Sequence, residues 1–334
     1  MADHPWVSQQ KFATIFVGGG TPTIYDGQRL ARLIRQCLSR FQFAAAPEIS
    51  IETNPNTVSF PDLAAIREAG VNRLSIGVQS FADHLLATIG RSHSRATAVA
   101  AITAARRAGF ANINLDFMYG LPGQTVADWR QTLEMALNFA PEHLALYELT
   151  IEPGTPFAAM EAKGELLLPD HDQLADMEEL AVSQLAAAGY RRYEISNFSR
   201  PGRECRHNSN YWRNGSYLGL GAGGVSCFDG LRLRNVDDFC QYEKLVAGDI
   251  MPVADGEALS LAAGFRESVV MGLRMRDGVS IRDLQARYGI EAKGYYGEIL
   301  VGFVATDMLS VEGDRLRLTD KAFPLANQVL AELV

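Results

Sequence analysis

Hydrophobic positions along the chain gather into short runs, with helix-period segments between them. Ala13–Val17 is an apolar run that stops at Gly18-Gly19-Gly20. Glu48–Thr53, Arg73–Val78, Asn112–Phe117 and His143–Ile151 repeat that pattern. Runs this short, bounded by glycine or polar residues, predict buried strands. Asp26 predicts a cap for a helix through Phe41, with Leu30, Leu33, Ile34, Cys37 and Leu38 on one face. Pro61–Ala69 and Ala96–Ala108 read as helices that stop at Gly70 and Gly109, and Asp83–Ile89 and Val126–Phe139 are helical too. Strands alternating with helices through short turns predict βα units and a parallel sheet, either doubly wound or barrel-like.

The pattern changes in the second half. A long helix over Asp170–Ala188 stops at Gly189 and leads to a sixth strand, Arg191–Ile195. Residues 197–240 are rich in Gly, Asn, Arg and aromatic residues and show little periodicity. Helices near 258–274, 280–288 and 294–304, a hairpin of Met308–Val311 and Arg315–Leu318, and a final helix predict a small winged-helix-like unit. The expected domains are therefore 1–240 and 241–334.

Composition narrows the function classes. A chain of 334 residues has room for roughly two domains of about 150 residues. The net charge of −8 disfavours a general nucleic-acid binder. Four scattered cysteines, Cys37, Cys205, Cys227 and Cys240, point to a reducing compartment and form no CxxC or CxxxC clamp. The Met1–Trp6 segment lacks the basic and apolar regions of a leader, and no apolar run is long enough to span a bilayer. The cytoplasm is the expected location.

The candidate chemistry sits where the strands end. Successive strands finish in Gly18–Thr23, in Glu52 and Asn54, in Gly77, Gln79 and Ser80, in Asp116, Tyr119 and Gly120, and in Tyr147, Glu148 and Thr150. In parallel α/β folds that edge binds ligands. The glycine triplet exceeds what a turn needs and exposes backbone to a closely approaching ligand, yet it matches neither a P-loop nor GxGxxG. Glu52 and Asp116 each read alone as helix caps or partners of arginine; with Gln79 and Arg91 they suit a ligand bearing ribose hydroxyls and amino-acid charges. Cys205-Arg206-His207-Asn208 with Tyr211-Trp212 is a second cluster: His207 reads as a hydrogen-bonded surface-loop histidine, or as a haem or metal ligand flanked by aromatics. His84, His93 and His143 read as capping or solvated, Cys37 as core, and Arg232 and Arg234 as a solvated face.

Seven motifs occur in order: GGGTPT (18–23), EISIETNP (48–55), VNRLSIGVQSF (71–81), GRSH (90–93), NINLDFMYGLPGQT (112–125), YELTIEPGT (147–155) and YEISNFSRPGRECRHNSNYW (193–212). Together they resemble the oxygen-independent coproporphyrinogen III oxidase family of radical S-adenosylmethionine (SAM) proteins, and its haem-chaperone (HemW-type) branch above all. The resemblance runs from Phe12 to the end. It implies an incomplete (β/α)6 TIM-like barrel, missing its first strand here, followed by a small helical winged-helix-like domain. It implies SAM at Gly19, Gly20, Thr21, Glu52, Gln79, Arg91 and Asp116. It implies haem at the HNxxYW signature, His207, Asn208, Tyr211 and Trp212, with His207 as the haem-iron ligand. The implied role is delivery of haem to acceptor proteins, membrane haem proteins reached peripherally among them, with a dimer allowed. The alternatives are the porphyrin-biosynthetic oxidase itself or an inactive, N-terminally truncated fragment of either.

The chain departs from the family in one respect that bears on chemistry. Family members carry CxxxCxxC, which holds three irons of a [4Fe–4S] cluster, and no such motif occurs in these 334 residues. Gly224-Val225 also stands where related sequences have Ala-His. The chain as written is therefore expected to show no reductive cleavage of SAM, and no catalytic residue is assigned.

Overall fold

The computed structural model describes residues 5–334, so most of the Met1–Trp6 segment, Met1–His4, lies outside the described residues. Seven strands form one open sheet: β1 (Phe12–Val17), β2 (Phe43–Thr53), β3 (Arg73–Gln79), β4 (Ile113–Tyr119), β5 (His143–Glu148), β6 (Arg191–Arg192) and β7 (Asn197–Ser199), in the order β1-β2-β3-β4-β5-β7-β6. The first five pair in parallel, which is the predicted βα progression. The end of the sheet corrects the sequence reading. Only Arg191–Arg192 of the expected sixth strand is extended in the sheet, and it pairs antiparallel with β7, which pairs antiparallel with β5. Two residues carry too little periodicity to separate a strand from a turn.

The helices form where their caps stand. The Asp26 carboxylate accepts from the Arg29 amide at 2.9 Å and opens Gly27–Arg40. Thr125 with Asp128, and Asp170 with Gln173, are capping boxes that open Val126–Asn138 and His171–Ala187. Their apolar faces pack on one face of the sheet. Ile49 and Ile51, Leu74 and Ile76, Leu115 and Phe117, and Leu144 and Leu146 meet Ile34, Leu63, Ile66, Ile102, Trp129, Leu133 and Leu185. The opposite face of the same strands is polar: Glu48, Ser50 and Glu52, then Arg73 and Ser75, then Asn114 and Asp116, then His143. Because side chains alternate along a strand, helices on one face leave this polar set on the other.

Contact density separates residues 5–192 and 196–206 from residues 193–195 and 207–334. The sequence reading drew its line between 240 and 241. Residues 207–240 join the later unit because β8 (Val225–Phe228) and β9 (Leu231–Asn235) pair with β10 (Val253–Ala258) in an antiparallel sheet. Arg232 and Arg234 lie on that sheet in ion pairs, Arg232 half-buried with Glu267 at 2.6 Å and Arg234 with Asp237 at 2.6 Å on an exposed face, as read for it from sequence.

The C-terminal part of this unit holds helices Leu261–Leu273 and Ile281–Tyr288, strand β11 (Val279–Ser280), and the hairpin β12 (Leu309–Glu312) with β13 (Arg315–Leu318). The expected hairpin gains a third strand, in the order β11-β13-β12. The helix expected over 294–304 is two, Ala292–Tyr296 and Glu298–Ala305, broken at Gly297, whose φ of 51° leaves the helical region. Phe265, Val269, Leu284, Leu300, Leu316 and Phe323 are buried in its separate core.

Candidate cofactor and haem sites

Of the residues assigned to SAM, Gly19, Gly20 and Thr21 follow β1, Glu52 and Gln79 lie at the ends of β2 and β3, and Asp116 lies midway along β4. After β1 the chain turns through Gly18, Gly19 and Gly20, all exposed, with φ of 86° at Gly19 and 69° at Gly20. A Cβ at either of these two would meet nothing within 4 Å, so their requirement for glycine is conformational. Gly18 is different: a Cβ there would press on the Phe16 ring and on the Glu52 carboxylate, 2.9 Å from Oε2. Glu52 accepts from the Gly19 amide at 3.3 Å, so it ties the glycine turn to β2 and caps no helix. Burial raises its pKa, and the Gly19 bond offsets part of that rise.

Gln79 follows a bulge at the end of β3 and has a φ of 66°, a left-handed conformation unusual for a residue with a side chain. Its side chain folds back so that a Cβ on Gly77 would lie 3.0 Å from Nε2. Arg91 lies on an exposed turn after Asp83–Thr88. Nearby His93 is buried, its Nε2 3.0 Å from the Val78 carbonyl, and pins this loop to β3; it caps nothing.

Asp116 is the most constrained of the set. Register places Gly77 beside it and Ser75 beside Glu52, so both carboxylates share the polar face. The Ser75 hydroxyl donates to Asp116 Oδ2 at 3.0 Å, and Asn114 Nδ2 donates to Oδ1 at 2.6 Å. Asn114 Nδ2 also reaches Ser75 Oγ at 2.7 Å, and Asn114 Oδ1 lies 2.6 Å from His143 Nδ1. Desolvation raises the Asp116 pKa from 3.8 to about 6, with the nearby Glu52 charge adding to the rise and Ser75, Asn114 and Arg73 opposing it. His143, read from sequence as capping or solvated, is buried within β5, and desolvation holds its pKa well below the ordinary histidine value. Ser75, Asn114 and His143 were absent from the sequence assignment. Their signal was the polar alternation inside otherwise apolar strands.

The HNxxYW segment lies in the later unit from His207 onward, and it is helical (Arg206–Trp212), where the sequence reading allowed a loop. His207 and Tyr211 stand one turn apart, with Nε2 2.9 Å from the Tyr211 hydroxyl and ring centroids 4.8 Å apart, edge to face. Tyr211 meets Tyr217 in the same edge-on manner at 4.8 Å. Arg274 covers the Trp212 ring at 4.6 Å. Asn208 is half-buried beside them in sequence.

Comparison with known proteins matches residues 7–136 to the radical SAM superfamily and residues 259–325 to the HemN C-terminal domain. The structure superposes on Escherichia coli coproporphyrinogen III oxidase (HemN), described as a radical SAM enzyme, with a TM-score of 0.81. That match covers 96% of this chain and 77% of the other at 24% identity, so it establishes the α/β radical SAM fold. Among curated relatives, heme chaperone HemW of Mycobacterium tuberculosis (strain H37Rv) is 39% identical over 96% of this chain and 80% of its own length. Heme chaperone HemW of Bacillus subtilis (strain 168) is 36% identical over 96% of this chain and 85% of its own. The chain belongs to the heme chaperone HemW family.

Radical SAM membership implies SAM and a [4Fe–4S] cluster, and the residues present can be tested against each. The cluster does not fit. The four cysteines are dispersed, Cys205 and Cys227 buried and Cys37 half-buried, with only Cys240 exposed. No group of three His, Cys, Asp or Glu side chains among the described residues is placed to hold a metal ion. The SAM residues do fit the chemistry of their ligand. Two carboxylates on one polar face and an open glycine turn suit a cationic molecule with hydroxyl groups. No helix of the described residues is long and apolar enough to cross a membrane.

Proposed function

We propose that this HemW-family chain binds haem as cargo and passes it to acceptor proteins, with His207 as the iron ligand. The relatives named heme chaperone HemW, matched over 96% of the chain, carry this reading. The helical placement of His207 supports it. A histidine ligates iron through a neutral ring nitrogen. Here Nε2 is engaged by the Tyr211 hydroxyl, so ligation through Nε2 exchanges that hydrogen bond for an iron bond. Tyr211 and Tyr217 supply aromatic edges suited to a flat macrocycle.

The second part of the proposal is SAM binding on the polar face of the sheet. Glu52 and Asp116 accept from ribose hydroxyls or the ligand's amino group. Gln79 and Arg91 engage its carboxylate, Arg91 through a two-pronged guanidinium contact, and the Gly19–Thr21 backbone admits close approach. When a cluster is bound, radical SAM chemistry supplies reductive cleavage of SAM; no step of it is assigned to these residues. The coproporphyrinogen oxidase reading needs that cluster, and no ligand set for it stands among the described residues.

Haem titration followed by absorbance in the Soret region tests the proposal. Wild type saturates at one haem per chain, and His207→Ala loses the low-spin or high-spin ligand bands of a bound histidine. Equal affinity and an unchanged spectrum in His207→Ala remove His207 as the ligand.

A further inference from the structure

The hydrogen-bond chain behind Asp116 has one consistent arrangement of protons. Asn114 Nδ2 has two hydrogens and two partners, Asp116 Oδ1 at 2.6 Å and Ser75 Oγ at 2.7 Å. Both are thereby committed. Turning the amide over would set its oxygen against a carboxylate oxygen, which is repulsive. Asn114 Oδ1 is therefore an acceptor, and the atom 2.6 Å away, His143 Nδ1, must carry the hydrogen. Ser75 Oγ accepts from Asn114, so its own hydrogen goes to Asp116 Oδ2 at 3.0 Å. Each Asp116 oxygen thus receives one donor, and each donor is oriented by the residue behind it.

The four residues come from three adjacent strands. Ser75 opposes Asn114, and Asn114 opposes His143, so parallel register lines them up across the polar face. His143 is 1% and Asn114 3% exposed, so water does not readily replace either partner. The charged groups that act on Asp116 are Glu52 on β2 and Arg73 on β3, and Arg73 also opposes a positive charge on His143.

We propose that His143 and Asn114 are positioning residues for the ligand-facing carboxylate: His143 in its Nδ1–H form holds the Asn114 amide, which with Ser75 holds Asp116. The device rests on the reading of Asp116 as a SAM contact. It leaves the outward lone pairs of Asp116 aimed at ligand donors and keeps the carboxylate from rotating when the site is empty. Charged hydrogen bonds of this kind are worth enough that freeing the amide weakens ligand binding about tenfold or more.

The test has two arms. In the first, nitrogen-15 NMR of wild type reads the His143 tautomer, and carbon-13 NMR follows Asp116 through its titration. The expected result is protonation at Nδ1 only, and an Asp116 pKa that rises in His143→Ala and returns toward wild type in His143→Gln, whose amide can donate to Asn114. In the second, calorimetry measures SAM binding: His143→Ala loses about tenfold in affinity and His143→Gln stays within about threefold. A proton on Nε2 in wild type overturns the proposal, as does a His143→Ala protein with wild-type Asp116 titration. Absence of SAM binding by wild type overturns the reading of the site instead, and the first arm still decides the relay.

Discussion

Replacing Asp116 with asparagine isolates what the candidate ligand site costs the fold. In the folded chain Asp116 titrates near 6 and in the unfolded chain near 3.8, because the folded environment disfavours its charged form. The sign follows from that order. A raised carboxyl pKa means the folded state holds the extra proton between the two values. Stability is then highest below 3.8, declines as pH rises through the interval to 6, and stays at the lower level above it. At 1.36 kcal/mol per pKa unit, the full decline is about 3 kcal/mol. The amide of the Asp116→Asn variant has no such titration. The unfolding free energies of wild type and Asp116→Asn, from urea titrations at several pH values between about 4 and 8, should therefore diverge with pH. The difference changes by about 2.5 kcal/mol in favour of the variant between about pH 4 and 8, most of the full decline, whatever constant offset the lost charged hydrogen bonds impose. A difference independent of pH, or one moving in favour of wild type, refutes the account of Asp116 as a destabilised charge held for a ligand.

Three further expectations follow from single contacts. Tyr211→Phe removes the hydroxyl that occupies His207 Nε2 and should tighten haem binding about two- to tenfold in the same titration; weaker binding would assign the hydroxyl a direct haem contact. Trp129 is fully buried and its indole donates to the Met177 carbonyl at 2.9 Å, so Trp129→Ala should cost about 3–5 kcal/mol in urea unfolding; a loss below about 1 kcal/mol would mean the helix layer closes over the cavity. Gly278 has a φ of 60° and its place for a Cβ is taken by the Leu316 carbonyl, so Gly278→Ala should destabilise the C-terminal unit by at least about 2 kcal/mol. Hydrogen exchange would locate that loss in β11 and β13.

The sequence by itself determined the local features. The order of five parallel strands and their helices, the Asp26 cap, and the glycine turn after β1 all come from periodicity and capping chemistry within a few residues. Its motifs also selected Glu52, Gln79 and Asp116, because ligands meet parallel sheets at strand ends. Tertiary structure decided what depends on register. Asn114 and Asp116 share a face of β4 by alternation alone, but that His143 stands behind Asn114 and Ser75 beside both follows from strand pairing between segments far apart in the chain. The same holds for β7, for the sheet of β8 to β10 that joins residues 207–240 to the later unit, and for the His207–Tyr211 bond on a helix read as a loop. A polar residue in an apolar strand looks alike in sequence whether it caps, solvates or relays. Only pairing across strands gives it a partner, and the partner sets its chemistry.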